Sequence, residues 1–215
     1  MPAPIVSDLA PPLDPNLDGR GIPPAADPIA LFGAWLADAT ATEPNDPNAM
    51  TVATSTADGR PSARVVLLKD YDAHGFVFYT NHDGRKGQEL RANPHAALLF
   101  HWKTLQRQVR IEGPVSTVTD AEADAYYASR ARISRLGAWA SDQSRPLPSR
   151  ATLEQRVHDA DQRHPTDAIP RPPYWSGFRV SPVTIEFWQD MPFRLHDRRV
   201  YTATSAGWTQ QALYP

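Results

Sequence analysis

Short apolar runs separated by tight-turn residues recur along most of this 215-residue chain, and that rhythm constrains its fold more than any other feature. Met50–Thr56 runs into Asp58-Gly59, and Ser62–Lys69 returns. Tyr71–Gly75 reads as a second turn and Phe76–Thr80 as a third strand. His95–Trp102 and Gln106–Val118 follow, with a bulge expected at Gly113-Pro114. The C-terminal part repeats the pattern with Gly177–Ser181, Thr184–Gln189, Phe193–Thr202, the Ser205–Gly207 turn and a last strand near Trp208. Strands joined by tight turns imply antiparallel pairing.

Helical signals fall around and between these runs. Asp27-Pro28 is an N-cap followed by proline at the first helical position, and Ile29, Leu31, Phe32, Trp35 and Leu36 then share one face. Gly84–Arg91 reads as a short helix stopped by Asn93-Pro94. Thr119 with Glu122 forms a capping-box pattern opening a helix that carries Tyr126, Tyr127 and Arg130. Ile133–Trp139 and Arg150–Arg163 are helical, with a polar loop over Ser141–Ser149 and a connector over Pro165–Pro173. Residues 1–26 hold many prolines and few large apolar side chains, so they read as a mobile Pro-rich arm ahead of a single domain over 27–215. The fold class is mainly β with peripheral helices, a closed or split antiparallel β-barrel with helices packed outside.

Several function classes are excluded or disfavoured. The chain has no cysteine, which removes thiolate nucleophiles and Cys-based metal sites and fits a reducing, cytoplasmic setting. Lys+Arg 22 against Asp+Glu 24 gives no global pull toward nucleic acid or an anionic membrane. No apolar run approaches the roughly 18 residues of a membrane helix, and the N-terminus lacks signal-peptide character. The seven histidines show no metal-ligand spacing. A G-x-S-x-G elbow, a dinucleotide fingerprint and a P-loop are all missing.

The chemistry-bearing residues are cations and hydroxyls at strand ends and loops. Arginine outnumbers lysine 19 to three, and the three lysines are Lys69, Lys86 and Lys103. Arg64 and Lys69 are five residues apart, so a regular strand points them to opposite faces. Tyr79-Thr80 ends the next strand, and Arg85-Lys86 opens a helix whose N-terminal N–H groups favour an anion. Arg107-Gln108 sits on a later strand. Arg130, Arg132 and Ser134 lie in the helical insert. Arg194, His196 and Arg198 alternate on an expected strand and so share one face. Singly, each arginine reads as a surface ion pair and Trp188 as core. Together the set reads as two anion pockets around an aromatic cleft, suited to a phosphorylated cofactor and a phosphorylated substrate.

From about Asp27 to Pro215 the chain resembles the pyridoxine/pyridoxamine 5′-phosphate oxidases. The matching stretches are Arg64-Val-Val-Leu-Leu-Lys69, Phe78-Tyr-Thr-Asn81, Gly84-Arg85-Lys86 and His101-Trp-Lys-Thr-Leu-Gln-Arg-Gln-Val109. Gly137-Ala-Trp-Ala-Ser141, Gln143-Ser144, Phe178-Arg-Val-Ser181, Glu186-Phe-Trp-Gln189 and Arg194-Leu-His-Asp-Arg198 complete them. Each piece is weak alone, and their order and spacing together are specific.

The resemblance implies an FMN-binding split barrel working as a homodimer. It implies that O2 oxidises pyridoxine 5′-phosphate or pyridoxamine 5′-phosphate to pyridoxal 5′-phosphate, with H2O2 and, from the amine, ammonia. Implied contacts to non-covalent FMN are Arg64, Val65, Val66, Leu67, Leu68, Lys69, Tyr79, Thr80, Arg85, Lys86, Gln108, Gln143, Ser144, Trp188 and Arg198. Lys69, Tyr126, Arg130 and Ser134 are implied to grip the substrate phosphate. Arg194 and His196 are implied to lie over the pyridine ring as catalytic residues. No nucleic acid, membrane or metal is implied. The chain departs from the family in ending Ala212-Leu-Tyr-Pro215, where many members carry arginine, and in Ser129-Arg-Ala-Arg-Ile-Ser-Arg135. The alternatives are a related oxidase of another ring, as in phenazine assembly, and a flavin- or haem-binding split barrel without turnover. Retention of the substrate-phosphate set argues against the first, and of Arg194 with His196 against the second.

Overall fold

In a computed structural model, which describes residues 21–215, helix α1 (Pro28–Thr42) forms the plug of a curled antiparallel sheet. Asp27 Oδ1 accepts the Ile29 N–H at 2.9 Å, and Pro28 stands where a missing N–H costs nothing. The face carrying Leu31, Phe32, Trp35 and Ala39 is buried. Phe32 is the hub of the core, with the rings of Tyr71, Phe76 and Phe100 edge-on at 5.1, 4.9 and 5.1 Å. Truncating such a ring to alanine costs about 3–5 kcal/mol.

The strands are β1 (Ala49–Ser55), β2 (Pro61–Leu67), β3 (Asp70–Asp72), β4 (Gly75–Asn81), β5 (His95–Trp102) and β6 (Arg107–Thr117). After the helical insert come β7 (Trp175–Val180), β8 (Thr184–Gln189), β9 (Asp197–Thr204) and β10 (Gly207–Ala212). The insert holds α3 (Asp120–Ser129), α4 (Arg132–Ala140) and α5 (Arg150–Arg163), while α2 (Arg85–Ala92) joins β4 to β5. The main path runs β10-β9-β8-β6-β5-β1-β2, and β3, β4 and β7 branch from it through β6. The architecture is the expected split β-barrel with outer helices.

Strand β6 serves both halves. Residues 107–112 pair with β8, and Val115–Thr117 pair with β7. The switch falls at Gly113-Pro114, where a bulge was expected. The pairing with β5 instead runs through both residues without a break. Glycine is needed there because the next chain crosses it: a Cβ on Gly113 would lie 1.9 Å from the Ser181 carbonyl oxygen.

Other expectations need correction. Tyr71–Gly75 is not turn alone, since Asp70–Asp72 pairs with β4. Arg130 is the C-cap of α3 rather than part of it. Phe193–Thr202 is not one strand. Pro192–Arg194 forms a single tight turn with Phe193 and Arg194 at φ of 59° and 61°, and β9 begins at Asp197. Arg194, His196 and Arg198 therefore do not alternate along a strand.

Of the expected N-terminal arm, residues 1–20 lie outside the described residues. Residues 21–26 pack along β9, ahead of the anticipated boundary at Asp27. Ile22 is buried and its N–H donates to Asp197 Oδ2 at 2.7 Å. Arg199 and Tyr201 donate to the carbonyls of Pro23 and Ala25 at 3.0 Å each. A proline-rich strip has few N–H groups, so it is held mainly through its carbonyls.

Candidate active site

A cavity of about 680 Å³ opens between the end of β2, β4 and the helical insert. Val65, Val66, Leu67 and Lys69 line one side, and Tyr79, Thr80 and Lys86 a second. Tyr126, Arg130, Ser134 and Gln143 close the third. Trp175 of β7 also lines it, so segments on both sides of the helical insert supply one pocket.

At one end Lys86 Nζ donates to Thr80 Oγ1 at 2.9 Å and to Gln143 Oε1 at 2.7 Å. Burial, helped by the charge of Arg64, lowers the Lys86 pKa to about 8. Elsewhere in the cavity Tyr79, Tyr126 and Trp175 form a nearly parallel stack, with centroids 4.1 Å apart for Tyr79–Tyr126 and 5.5 Å for Tyr79–Trp175. Lys69 Nζ stands 6.0 Å from the Tyr126 centroid. The Arg130 guanidinium lies 4.8 Å from the Trp175 ring, which favours a cation over an aromatic face. Burial pulls the Arg130 pKa below its ordinary value. Its Nη1 is buried and has no hydrogen-bond partner.

Charge pairing separates these cations from most of the arginines. Arg107, Arg156, Arg171 and Arg179 each meet a carboxylate. Among the described residues, Lys69, Lys86 and Arg130 have no carboxylate within 4.0 Å, although all three face one cavity. Partly buried cations without counter-charges are poised for an anion. Gly137 adds room: it lines the cavity, and a Cβ there would meet nothing within 4 Å.

Several expected residues lie elsewhere. Arg64 turns into a polar knot around Glu89, reaching Glu89 Oε2 at 3.2 Å and Thr54 Oγ1 at 2.6 Å. Arg85 Nε meets the other oxygen of Glu89 at 2.8 Å. Burial raises the Glu89 pKa, but donors from Ser62, Thr54, Arg85 and Arg64 outweigh it and bring the value to about 2. Leu68 is buried in the core. Ser144 follows Gln143 at φ of 70° and is not part of the lining.

A second group forms on the far part of the sheet. Gln108 pairs with Trp188, and Trp188 pairs with Arg198, giving one row across β6, β8 and β9. Arg198 is held by Glu186 at 2.8 Å. The His196 ring lies 4.6 Å from Trp188, and Arg194 occupies the tight turn before it. Between β8 and β2 stand β6, β5 and β1, a path of roughly 19 Å along the sheet at ordinary strand spacing. None of Gln108, Trp188, Arg194, His196 and Arg198 lines the cavity around Lys69, Lys86 and Arg130.

Comparison with known proteins gives the family. Residues 36–164 match the family model described as pyridoxamine 5′-phosphate oxidase. Residues 175–215 match the pyridoxine 5′-phosphate oxidase C-terminal dimerisation region. The chain belongs to the pyridoxine/pyridoxamine 5′-phosphate oxidase family. A relative so named from Gluconobacter oxydans is 65% identical over 190 residues, covering 88% of this chain and 95% of its own. PhzG from Burkholderia lata, solved with tetrahydrophenazine-1-carboxylic acid, superposes with a TM-score of 0.84 at 32% identity, covering 94% of this chain and 98% of its own. A pyridoxamine 5′-phosphate oxidase-related, FMN-binding protein from Nostoc punctiforme shares the fold, at TM-score 0.71 and 16% identity, covering 89% and 100%. Within this family match, Trp188, Arg194, His196 and Arg198 all fall in the dimerisation region.

Sequence reasoning missed Asn81, Ala131, Gly137, Ala138, Ser141 and Trp175 in the lining. It also missed Glu89. The i,i+4 spacing of Arg85 and Glu89 was the available local signal.

Proposed function

We propose that this chain is an FMN-dependent oxidase that converts pyridoxine 5′-phosphate and pyridoxamine 5′-phosphate to pyridoxal 5′-phosphate. The observation that carries the reading is the set of unpaired cations, Lys69, Lys86 and Arg130, around a single aromatic-walled cavity. Such donors suit phosphate groups, and the roomy face at Gly137 suits a flat ring. Lys86, Thr80 and Gln143, with backbone and side chains of Val65–Leu67, would hold the flavin. Lys69, Tyr126, Arg130 and Ser134 would hold the substrate phosphate. The chain has no cysteine for a thioether link, so the flavin is read as non-covalent.

Bound by these residues, FMN would supply the two-electron acceptor for the substrate and the route to O2, with H2O2 as the reduced product. The protein's own work is binding and orientation. Arg130, desolvated against Trp175, offers its unpartnered Nη1 to an anion. Arg194, His196, Gln108, Trp188 and Arg198 would complete each site from a second copy of the chain, so the working unit is a homodimer.

The test is direct. The purified protein should show a flavin spectrum that bleaches with pyridoxine 5′-phosphate in the absence of oxygen. Air should then restore the colour and yield peroxide. A flavin that does not bleach with either phosphate ester overturns the reading. Bleaching by a reduced phenazine precursor instead would favour the chemistry suggested by the PhzG likeness.

A further inference from the structure

The link from β8 to β9 carries Arg194 on a turn that its own residues disfavour. Phe193 and Arg194 stand consecutively at φ of 59° and 61°, in the left-handed region that residues with a Cβ avoid. Such strain persists only where the surroundings over-determine it. Burial does not do so here. No residue of Pro192–Arg194 is buried, and Phe193 and Leu195 are exposed large apolar side chains. Hydrogen bonds at the two ends hold the turn instead. The Asp190 N–H donates to the Gln106 carbonyl at 3.0 Å, and the Leu195 N–H donates to the Pro192 carbonyl at 3.2 Å. The bond that closes the loop ends on a side chain. The Met191 N–H donates to His196 Nδ1 at 3.2 Å.

We infer that His196 is a positioning residue for Arg194, bracing the strained turn through the lone pair on Nδ1. A neutral imidazole has one N–H and one lone pair. With the Nδ1 lone pair engaged by Met191, the ring proton sits on Nε2. Asp190 Oδ1 lies 3.0 Å from Nδ1 but makes no hydrogen bond with it, so the lone pair stays with Met191. The ring is a firm anchor for the turn. Its side chain is only 16% exposed, and the Trp188 ring packs against it at 4.6 Å with a 43° tilt. The next residue, Asp197, is already paired with Gln189 in the sheet.

One ring thus has two separable edges. Nδ1 ties the turn to the start of β9, and Nε2–H is left as a donor. Without the Nδ1 acceptor the turn loses the bond across its ends, and its two left-handed residues can relax toward ordinary backbone. The Arg194 guanidinium then loses its aim. The inference rests on the reading that Arg194 serves the active site, but the brace itself can be measured without turnover.

The experiment compares His196→Asn with His196→Ala in the flavin-loaded protein. The asparagine Oδ1 branches from the same carbon as Nδ1 and can accept the Met191 N–H, whereas alanine cannot, and both variants lack Nε2. The parent, at a pH where the ring is neutral, should show the Nε2–H tautomer by 15N NMR and a protected Met191 amide. Exchange of that amide should stay slow in His196→Asn and quicken at least tenfold in His196→Ala, the usual worth of a hydrogen bond. By the same reasoning kcat/KM should be higher in His196→Asn than in His196→Ala by on the order of tenfold. Arg194→Ala should cost less activity in the alanine background than in the asparagine one, because there Arg194 has already lost its aim. His196→Leu, which also lacks an acceptor, serves if the alanine variant does not fold. A parent ring in the Nδ1–H form overturns the inference, as does equal Met191 exchange in the two variants. Protection that follows the acceptor, with an Arg194→Ala penalty identical in both backgrounds, overturns the positioning of Arg194. A parent flavin that bleaches with neither phosphate ester would instead sink the oxidase reading, while tautomer and amide exchange would still decide the brace.

Discussion

The Lys86 ammonium reaches the Gln143 carboxamide oxygen at 2.7 Å across 57 residues of sequence. This bond ties the first turn of α2 to the loop after α4, so the cavity has one polar end built from segments on either side of β5, β6, α3 and α4. The donor is also the group that burial lowers from an ordinary 10.5 to about 8. Folding therefore disfavours its charged form, and an anion in the cavity restores it.

That shift predicts an unusual alkaline limb. In the free protein Lys86 loses its proton as pH rises through about 8, so phosphate affinity should fall from there rather than above 10. The sign for stability is opposite. Without ligand, the unfolded chain holds the Lys86 proton up to about 10.5, so Lys86 makes the fold relatively more stable as pH rises from about 8 to that value. Titrating FMN affinity by flavin fluorescence across this range checks the first claim. Lys86→Met should weaken binding and remove the limb, and a limb that persists in that variant would count against the assignment.

Arg64 and Glu89 lead to a different outcome from a simple phosphate contact. Arg64→Ala removes a donor from a carboxylate that is only 5% exposed. The expected effect is a loss of about 1–3 kcal/mol in unfolding free energy, beyond any loss of flavin affinity. The Glu89 pKa is depressed to about 2. Its contribution is fully present above its unfolded value near 4.5 and is lost as pH falls from there toward about 2. Urea unfolding of apoprotein at neutral and acid pH should show the parent and Glu89→Gln converging in acid. Parallel curves would refute the role given to Glu89.

Arg130 is expected to act on substrate and not on flavin. Arg130→Ala should raise KM for the phosphate esters by about ten- to a hundredfold, the usual worth of a charge-assisted contact. The flavin spectrum and occupancy should be unchanged. Equal turnover of unphosphorylated pyridoxine by the parent enzyme would contradict this role.

Local chemistry made much of the fold legible. The capping box at Thr119 and Glu122 is formed as read, because both partners lie within one turn. His95–Trp102 and Thr184–Gln189 have the strand limits that alternation and turn residues imply. Arg64 and Lys69 have different surroundings, but β2 ends at Leu67, so strand parity does not reach Lys69. Illegible features depend on distant partners. Nothing near Arg64 announces Glu89, 25 residues away. The turn at Phe193-Arg194 breaks an apparently regular alternation, and its flanks are fixed by contacts from Gln106 and Met191 to Asp190 and His196. The row of Gln108, Trp188 and Arg198 comes from register between strands, which periodicity within a strand does not encode.

The separation of Lys69 from Arg194 and His196 gives the last prediction. Lys69 faces the cavity beyond β2, while the other two lie past β8, with three strands between β2 and β8. If both groups serve one site, the second must come from a partner chain. Lys69→Ala and Arg194→Ala should each be nearly inactive as pure dimers. Unfolded together and refolded at random, half of the dimers would be mixed, and each would hold one doubly altered site and one intact site. About a quarter of all sites should regain full activity by two-fold counting. If each site were built within a single chain, every site would keep one lesion and mixing would restore nothing. Native mass spectrometry of the mixture should confirm that mixed dimers form. Mixed dimers without recovered activity would rule out the shared site and leave the oxidase reading to be judged on flavin bleaching alone.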